Sequence, residues 1–336
     1  MVGLNRRRDT RTTMLRVMAP ESAAEETEAP SASLRSIQDR IEELKRENDI
    51  VLFVHNYQYP EVQALADVRG DTLELTFATR EVPQANIVYC GVDFMAEMAK
   101  ILNPAKRVFI PDNKALCPLA GMADVEGVKL MKEHHPEAAV VAYVNSSSAV
   151  KAIADVCCAS SNAVAVCKNM EEKELIFAPD QNFGQYLQSK IPEKKIHIWA
   201  GYCHVHQNMK PSQVEEMRRL HPSAEVIVHP ECPPDVVAVA DYAGSTGGML
   251  KYARDSPKKE FIVGSERDLT VAMKIAAPDK VFYALPHAVC PTHKKITLRK
   301  VLHTMESLEP EVLLDDETIR GAQRALDRML DFAPRE

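Results

Sequence analysis

Short apolar runs alternate with amphipathic stretches along nearly the whole chain. Three segments, 51–75, 140–164 and 225–250, share one layout. Each opens on a β-rich apolar run, passes a polar turn, enters a helical pattern ending in Ala-Asp, and closes in a turn of small residues. The Ala-Asp pairs end at Asp67, Asp155 and Asp241, and five residues beyond each stands a hydroxyl: Thr72, Ser160 and Thr246. The second halves match as well. Ile87-Val88-Tyr89, Leu175-Ile176-Phe177 and Phe261-Ile262-Val263 read as buried strands. The helical stretches that follow stop at Pro104, Pro192 and Pro278, and Lys106, Lys194 and Lys280 stand two residues further on. Further strands are predicted at 107–110, 195–199 and 281–285, and a helix before each unit at 34–47, 124–134 and 211–220. The period is about 87 residues, the signature of an internal repeat.

Strands alternating with helices of this length predict parallel βαβ units, and wholly apolar strands predict sheets covered on both faces. The expected fold is α/β: three similar small three-layer domains with parallel sheets around a pseudo-threefold axis. The expected division is a disordered leader over 1–33, repeats over 34–120, 121–207 and 208–293, and closing helices within 294–336, at 297–308 and 316–332.

Composition narrows the function. The 336 residues are 46% hydrophobic and 26% charged, enough for a sizeable buried core. No apolar run approaches the length of a membrane span. The net charge is −7 and aromatics are 6%, with no Lys/Arg block through the body, so neither nucleic acid nor membrane is an expected partner. Arg6, Arg7 and Arg8 lead into no hydrophobic stretch, and Glu21, Glu25, Glu26 and Glu28 argue against a transit peptide. A reducing, cytoplasmic setting is expected. There the eight cysteines read as core residues, metal ligands or catalysts, not disulfides.

Three of them, Cys117, Cys203 and Cys290, fall at the repeat period, each in the loop after the last strand of its unit. Such loops carry the ligands of parallel α/β folds, and a threefold arrangement would bring the thiolates together. Soft thiolates select iron–sulfur clusters, zinc or Cu(I). A four-iron cluster on three cysteines leaves one iron open as a Lewis acid, whereas zinc on three cysteines and a water is the competing fit. Cys90, Cys157, Cys158 and Cys167 read as core packing, and Cys232 lies in a polar turn near the site without being an expected ligand.

The first strand of each unit ends in polar residues: His55, Asn56, Tyr57 and Gln58; Tyr143, Asn145, Ser146 and Ser147; His229 and Glu231, with His206 beside Cys203. So many proton-transfer groups at equivalent strand ends point to a reaction site. Thr72, Ser160 and Thr246 stand where a turn enters a helix, so N-capping is expected of them beside any ligand contact. No Walker lysine or GxGxxG order accompanies these turns, which disfavours a nucleotide site.

These residues, taken in order from about 50 to 330, resemble the quinolinate synthase family of NAD biosynthesis. The matching motifs are His55-Asn56-Tyr57-Gln58, Gly70-Asp71-Thr72-Leu73, Cys90-Gly91-Val92-Asp93-Phe94-Met95-Ala96-Glu97, Tyr143-Val144-Asn145-Ser146, Ser160-Ser161-Asn162-Ala163, Trp199-Ala200-Gly201-Tyr202-Cys203, His229-Pro230-Glu231-Cys232 and Ser245-Thr246-Gly247-Gly248-Met249. The resemblance implies a [4Fe-4S] cluster on Cys117, Cys203 and Cys290. It implies condensation of iminoaspartate with dihydroxyacetone phosphate to quinolinate, phosphate and water. Tyr57, Tyr143, His206 and Glu231 are then the candidates for proton transfer, and His55, Thr72, Asn145, Ser160, His229, Ser245 and Thr246 the candidates for holding substrate. Aspartate oxidase or aspartate dehydrogenase would supply iminoaspartate, and iron–sulfur assembly machinery would load the cluster. The chain departs from the family at Leu116 and Pro118, where glycine and serine are usual, and at His293, where methionine is usual. It also has Thr72 where serine is common. A zinc-dependent hydrolase or lyase and a non-catalytic electron carrier or anion-binding protein stay open as alternatives. Visible absorption with iron and sulfide content of anaerobic protein separates them.

Overall fold

The computed structural model describes residues 32–332. The leader expected over 1–33 falls, up to residue 31, outside the described residues. Among them, three sheets of four strands share one order, and every ladder within the sheets is parallel. The first holds β1 (Ile50–His55), β2 (Val68–Gly70), β3 (Asn86–Cys90) and β4 (Arg107–Phe109) in the order β2-β1-β3-β4. The second repeats it as β6-β5-β7-β8, with β5 (Ala139–Tyr143), β6 (Val156–Cys158), β7 (Glu174–Ala178) and β8 (Lys195–Ile198). The third is β10-β9-β11-β12, with β9 (Glu225–Val228), β10 (Tyr242–Ala243), β11 (Glu260–Gly264) and β12 (Val281–Ala284). The short strands β2, β6 and β10 were not expected. At two or three residues they are too brief to carry a hydrophobic period.

The repeated letters of the sequence turn out to be repeated bonds. Asp67, Asp155 and Asp241 each accept the backbone N–H of Leu52, Val140 and Val226, at 2.7 Å in every lobe. Lys106, Lys194 and Lys280 turn inward onto carbonyls in the last turn of a helix or just beyond it: Val82; Met170 and Glu172; Ala253, Arg254 and Ser256. Each so satisfies orphan acceptors that burial would otherwise leave unpaired. A ring stack recurs too. His135 lies on His197, with Glu174 bonded to His197, and His221 lies on Tyr283, with Glu260 bonded to Tyr283.

Two closing helices lock the first two lobes together. Leu298–Ser307 packs on the opening helix Ala32–Glu47, and Asp316–Asp331 packs on Ser148–Ile153 and β6. The second contact is close because position 321 is glycine: a Cβ there would stand 2.7 Å from the carbonyl oxygen of Ala152. One hydrophobic core runs through these two lobes and the closing helices, whereas the third lobe has its own apolar cluster on each face of its sheet.

Candidate active site

The loops at the carboxyl ends of the strands surround one cavity. It is lined by residues of all three lobes, including Cys117, Cys203 and Cys290. His55, Tyr57, Thr72, Tyr143, Asn145, Ser160, His206, His229, Glu231 and Thr246 line it as well. Ser245 does not. Its hydroxyl accepts the Gly248 N–H and caps the helix Thr246–Asp255.

That capping pattern corrects the expectation for the three repeated hydroxyls. Asp71 caps the helix Thr72–Ala78 through a reciprocal capping box with Glu74, and Ser245 caps the helix that Thr246 opens. Ser160 lies two residues ahead of the N-cap position, Asn162, of its helix. In the first and third lobes capping therefore falls to a neighbour, in the second Asn162 makes no side-chain cap bond, and Thr72, Ser160 and Thr246 are left to line the cavity. The first and third lobes meet beside Thr72, where Asp71 also accepts the Gly247 N–H at 3.2 Å; a Cβ at 247 would come within 2.7 Å of that carboxylate.

Glu231 is the hub of the polar groups. Its carboxylate accepts Tyr143 Oη–H at 2.7 Å and Asn145 Nδ2–H at 3.2 Å on one oxygen, and its other oxygen is 2.8 Å from His206 Nδ1. Burial raises its pKa, but His229, His206 and the Tyr143 hydroxyl outweigh burial and hold the carboxyl below the usual carboxylate range. Burial, and then the Glu231 charge, push the Tyr143 phenol up. Tyr57 is raised chiefly by burial, and its hydroxyl lies 2.7 Å from Ser265 Oγ. Ser265 also lies 3.2 Å from His206 Nε2, so it joins Tyr57 of the first lobe to His206 of the second. Burial lowers His55 to about 3, helped by Lys294 and His229. It lowers His229 to about 4 against the pull of Glu231. Both rings are thus neutral hydrogen-bonding groups at pH 7, beside an ionised Glu231.

Sequence reasoning missed several neighbours. Ser265 has no equivalent hydroxyl in the other lobes, so the repeat gave no sign of it. His293, marked only as a departure, stacks on His55 with ring centroids 4.9 Å apart, and its Nδ1 accepts the Gln58 Nε2–H at 3.2 Å. Glu266 also lines the cavity, where the ammonium of Lys294 lies 3.0 Å from its carboxylate. Lys294 in turn donates to the backbone carbonyl of Tyr57, tying the first lobe to the third.

The donor set of the cavity suits a metal group. The three cysteines are free thiols, and burial raises the pKa of each. Asp93 and then Cys290 raise Cys117 further, and Glu231 and then Cys117 and Cys290 raise Cys203 further. Three soft donors whose thiols burial keeps protonated give up their protons only to a strongly bound cation. Among the described residues, the groups whose ligand atoms all lie within 4.8 Å of one another are Cys203, His206 and Glu231, and His135, Glu174 and His197. The cysteine trio is not such a group. A single zinc with Zn–S bonds of about 2.3 Å would need its sulfurs within about 4 Å. The second group is the ring stack that recurs in the third lobe with tyrosine in place of one histidine, which marks it as packing.

Three parallel α/β lobes that close on one cavity, lined by thiols and proton-transfer groups, define an enzyme of the three-lobed α/β class. The family model described as quinolinate synthetase A protein matches residues 39–331, and the chain belongs to that family. A quinolinate synthase of Caldicellulosiruptor bescii is 42% identical over 301 residues, covering 89% of this chain and 99% of the relative. Quinolinate synthase 2 of Methanosarcina acetivorans is 44% identical over 300 residues, 89% of this chain and 96% of the relative. A quinolinate synthase of a Geobacter species is 44% identical over 296 residues, 88% and 97% of the two chains. No helix among the described residues is long and apolar enough to cross a membrane.

Proposed function

We propose that this chain makes quinolinate for NAD biosynthesis in the cytoplasm, by condensing iminoaspartate with dihydroxyacetone phosphate and releasing phosphate and two molecules of water. Cys117, Cys203 and Cys290 would hold a [4Fe-4S] cluster, which supplies a Lewis acid at the iron without a protein ligand. The observation that carries the reading is the meeting of one cysteine from each lobe on a cavity that also holds the Tyr143–Glu231–His206 network. The family membership and the curated relatives support it.

The side chains divide the work by their ionisation. Glu231, ionised and already bonded to three donors, takes up a substrate proton when Tyr143 or His206 turns its own proton towards the substrate. Tyr57, protonated and set by Ser265, donates. His55 and His229, neutral, and Thr72, Asn145, Ser160 and Thr246 offer hydrogen bonds to carboxylate and phosphate oxygens. The N-terminal turn of Thr246–Asp255 adds partial positive charge on the same side. Ser245 acts by fixing that turn and not by touching substrate.

A second metal reading rests on the compact Cys203, His206 and Glu231 group, which could take one zinc. It would leave Cys117 and Cys290 idle in the same cavity. Anaerobic reconstitution, metal analysis and a quinolinate assay with iminoaspartate generated in place test both readings. The expected result is a brown protein with about four irons and four sulfides per chain that forms quinolinate, and a colourless, inactive Cys290→Ala variant. Bound zinc with full activity, or a fully active cluster-free Cys290→Ala protein, overturns the proposal.

A further inference from the structure

Each cysteine loop is held by the same two-point clasp. In the first lobe the Cys117 N–H donates to Asp93 Oδ1 at 2.8 Å, while the Asp93 N–H donates to the carbonyl of Ala115, two residues before the cysteine, at 3.0 Å. In the second the Cys203 N–H donates to Asp180 Oδ2 at 3.0 Å, and the Gln181 N–H donates to Gly201, again two residues before the cysteine, at 2.7 Å. In the third the Cys290 N–H donates to Glu266 Oε1 at 3.3 Å, and the Arg267 N–H donates to Ala288, two residues before the cysteine, at 2.6 Å. The carboxylates stand at matching places, just past the ends of β3, β7 and β11. They precede their cysteines by 24, 23 and 24 residues.

We infer that Asp93, Asp180 and Glu266 are positioning residues that set the three cysteine loops in register for a shared metal cluster. The inference rests on the proposed cluster site and goes beyond it, to the groups that orient the ligands. Ordinary helix capping does not account for the set. Asp180 uses one oxygen to cap the helix Gln181–Lys190 and keeps the other for Cys203. Asp93 heads its helix, Asp93–Leu102, as the first residue and not as the N-cap. Glu266 spends its second oxygen on the Asp268 N–H. Three local arrangements differ, and the bond to the cysteine is what they share. A cysteine N–H tied back to its own lobe fixes the loop backbone, and with it the direction of the Cα–Cβ bond. That matters because three loops from three lobes must aim sulfurs at one point, and a small tilt in any of them displaces a donor.

The variants Asp93→Ala and Asp93→Asn test this. Asparagine keeps an acceptor oxygen for the Cys117 N–H, and alanine does not. After anaerobic reconstitution, iron and sulfide per chain and the rate of cluster loss to a chelator are measured, with amide hydrogen exchange at Cys117 in the metal-free proteins. The expected result is exchange at Cys117 at least tenfold faster in Asp93→Ala, chelator release at least tenfold faster, and both near the parental values in Asp93→Asn. Asp180→Asn, with one acceptor for two N–H donors, should fall between. Parental release and exchange in Asp93→Ala, or an Asp93→Asn protein as defective as Asp93→Ala, overturns the inference. If Asp93→Ala does not fold, the comparison passes to parent and Asp180→Asn, where unchanged release overturns it. A parent that takes up no cluster ends the proposed cofactor, whereas a parent that binds one while Asp93→Ala exchanges and releases at the parental rate ends this inference alone. Without a cluster, slowed exchange at Cys117 in the parent would still mark the clasp as real, so the two failures are told apart.

Discussion

Replacing Glu231 by glutamine changes one oxygen to an NH2 group and removes one charge, and the geometry dictates how the amide sits. Tyr143 and Asn145 both donate to the same carboxylate oxygen, so the amide oxygen stays with them and the new NH2 faces His206 Nδ1. That nitrogen must then accept, which moves the ring proton to Nε2, next to Ser265. Two effects follow. Hydrogen bonds to a charged group, each contributing about 1.5–3 kcal/mol, fall to the neutral level of about 1 kcal/mol. The site also loses its ionised base, and general acid–base groups contribute about 10²–10⁴ in rate. Turnover is therefore expected to fall by about 10²–10⁴, or about 3–5 kcal/mol on the barrier. Iron and sulfide content should be unchanged, since Glu231 is not among the proposed ligands. The assay is quinolinate formation by anaerobically reconstituted protein, read beside metal content and the melting temperature of the metal-free form. A Glu231→Gln enzyme within threefold of the parent at equal cluster content would remove the carboxylate from proton transfer.

Two further outcomes bear on the fold and its titration. Gly321→Ala gains about 1 kcal/mol of helix propensity, yet its new Cβ would lie 2.7 Å from the Ala152 carbonyl oxygen, which is backbone and cannot yield. Overpacking at about 1–3 kcal/mol should win, so urea unfolding is expected at a lower midpoint, and a raised midpoint would refute the close-packing argument. His55 titrates near 3 in the folded protein against 6.5 in a free chain. Between those values the unfolded state binds the extra proton, so this ring's contribution erodes as pH falls from 6.5, by up to about 1.4 kcal/mol per pH unit. The stability of the metal-free parent relative to His55→Gln should drop by about 2 kcal/mol from pH 7.5 to 5, and an equal difference at both pH values would show that the ring is not held neutral.

Much of the architecture is legible because the chain states it three times. A single Ala-Asp or Pro-x-Lys would mean little, but Asp67, Asp155 and Asp241 at one period mark a bond that each lobe needs. Cys117, Cys203 and Cys290 could be placed at the centre for the same reason. What stayed hidden is what the repeat does not spell in constant letters. The clasping acid is aspartate twice and glutamate once, and its backbone partner shifts by one residue between the first lobe and the others, so no motif announces it. Superposing the cysteines and reading back 23 or 24 residues would have found it. Ser265 serves two partners from one lobe only. The capping role of Ser245 was missed because a Ser-Thr pair at a helix start does not say which hydroxyl caps. Asp71 before Thr72 answers the same question differently in side chain but identically in position, since in both lobes the residue ahead takes the cap.

The division of cores bears on how the site is completed. The first two lobes and the closing helices share one apolar core, while the third lobe buries its apolar residues largely against itself. Around the cavity, the third lobe meets the others through polar bonds: Tyr57 with Ser265, Gln63 with the Asp268 carbonyl, Asn182 with the Glu231 carbonyl, Lys294 with the Tyr57 carbonyl, and Asp71 with Gly247. The same lobe supplies Glu231, the hub of the proton network, and Cys290. Neither could act from its own lobe alone. Glu231 is held ionised by His206 and Tyr143 of the second lobe and His229 of its own, and Cys290 lines the cavity with cysteines of the other two lobes. Polar bonds depend on direction where apolar contacts do not, so they fix the angle at which the third lobe seats. A seat fixed by direction is what a carboxylate needs if it is to meet donors at 2.7 and 2.8 Å across a boundary between lobes.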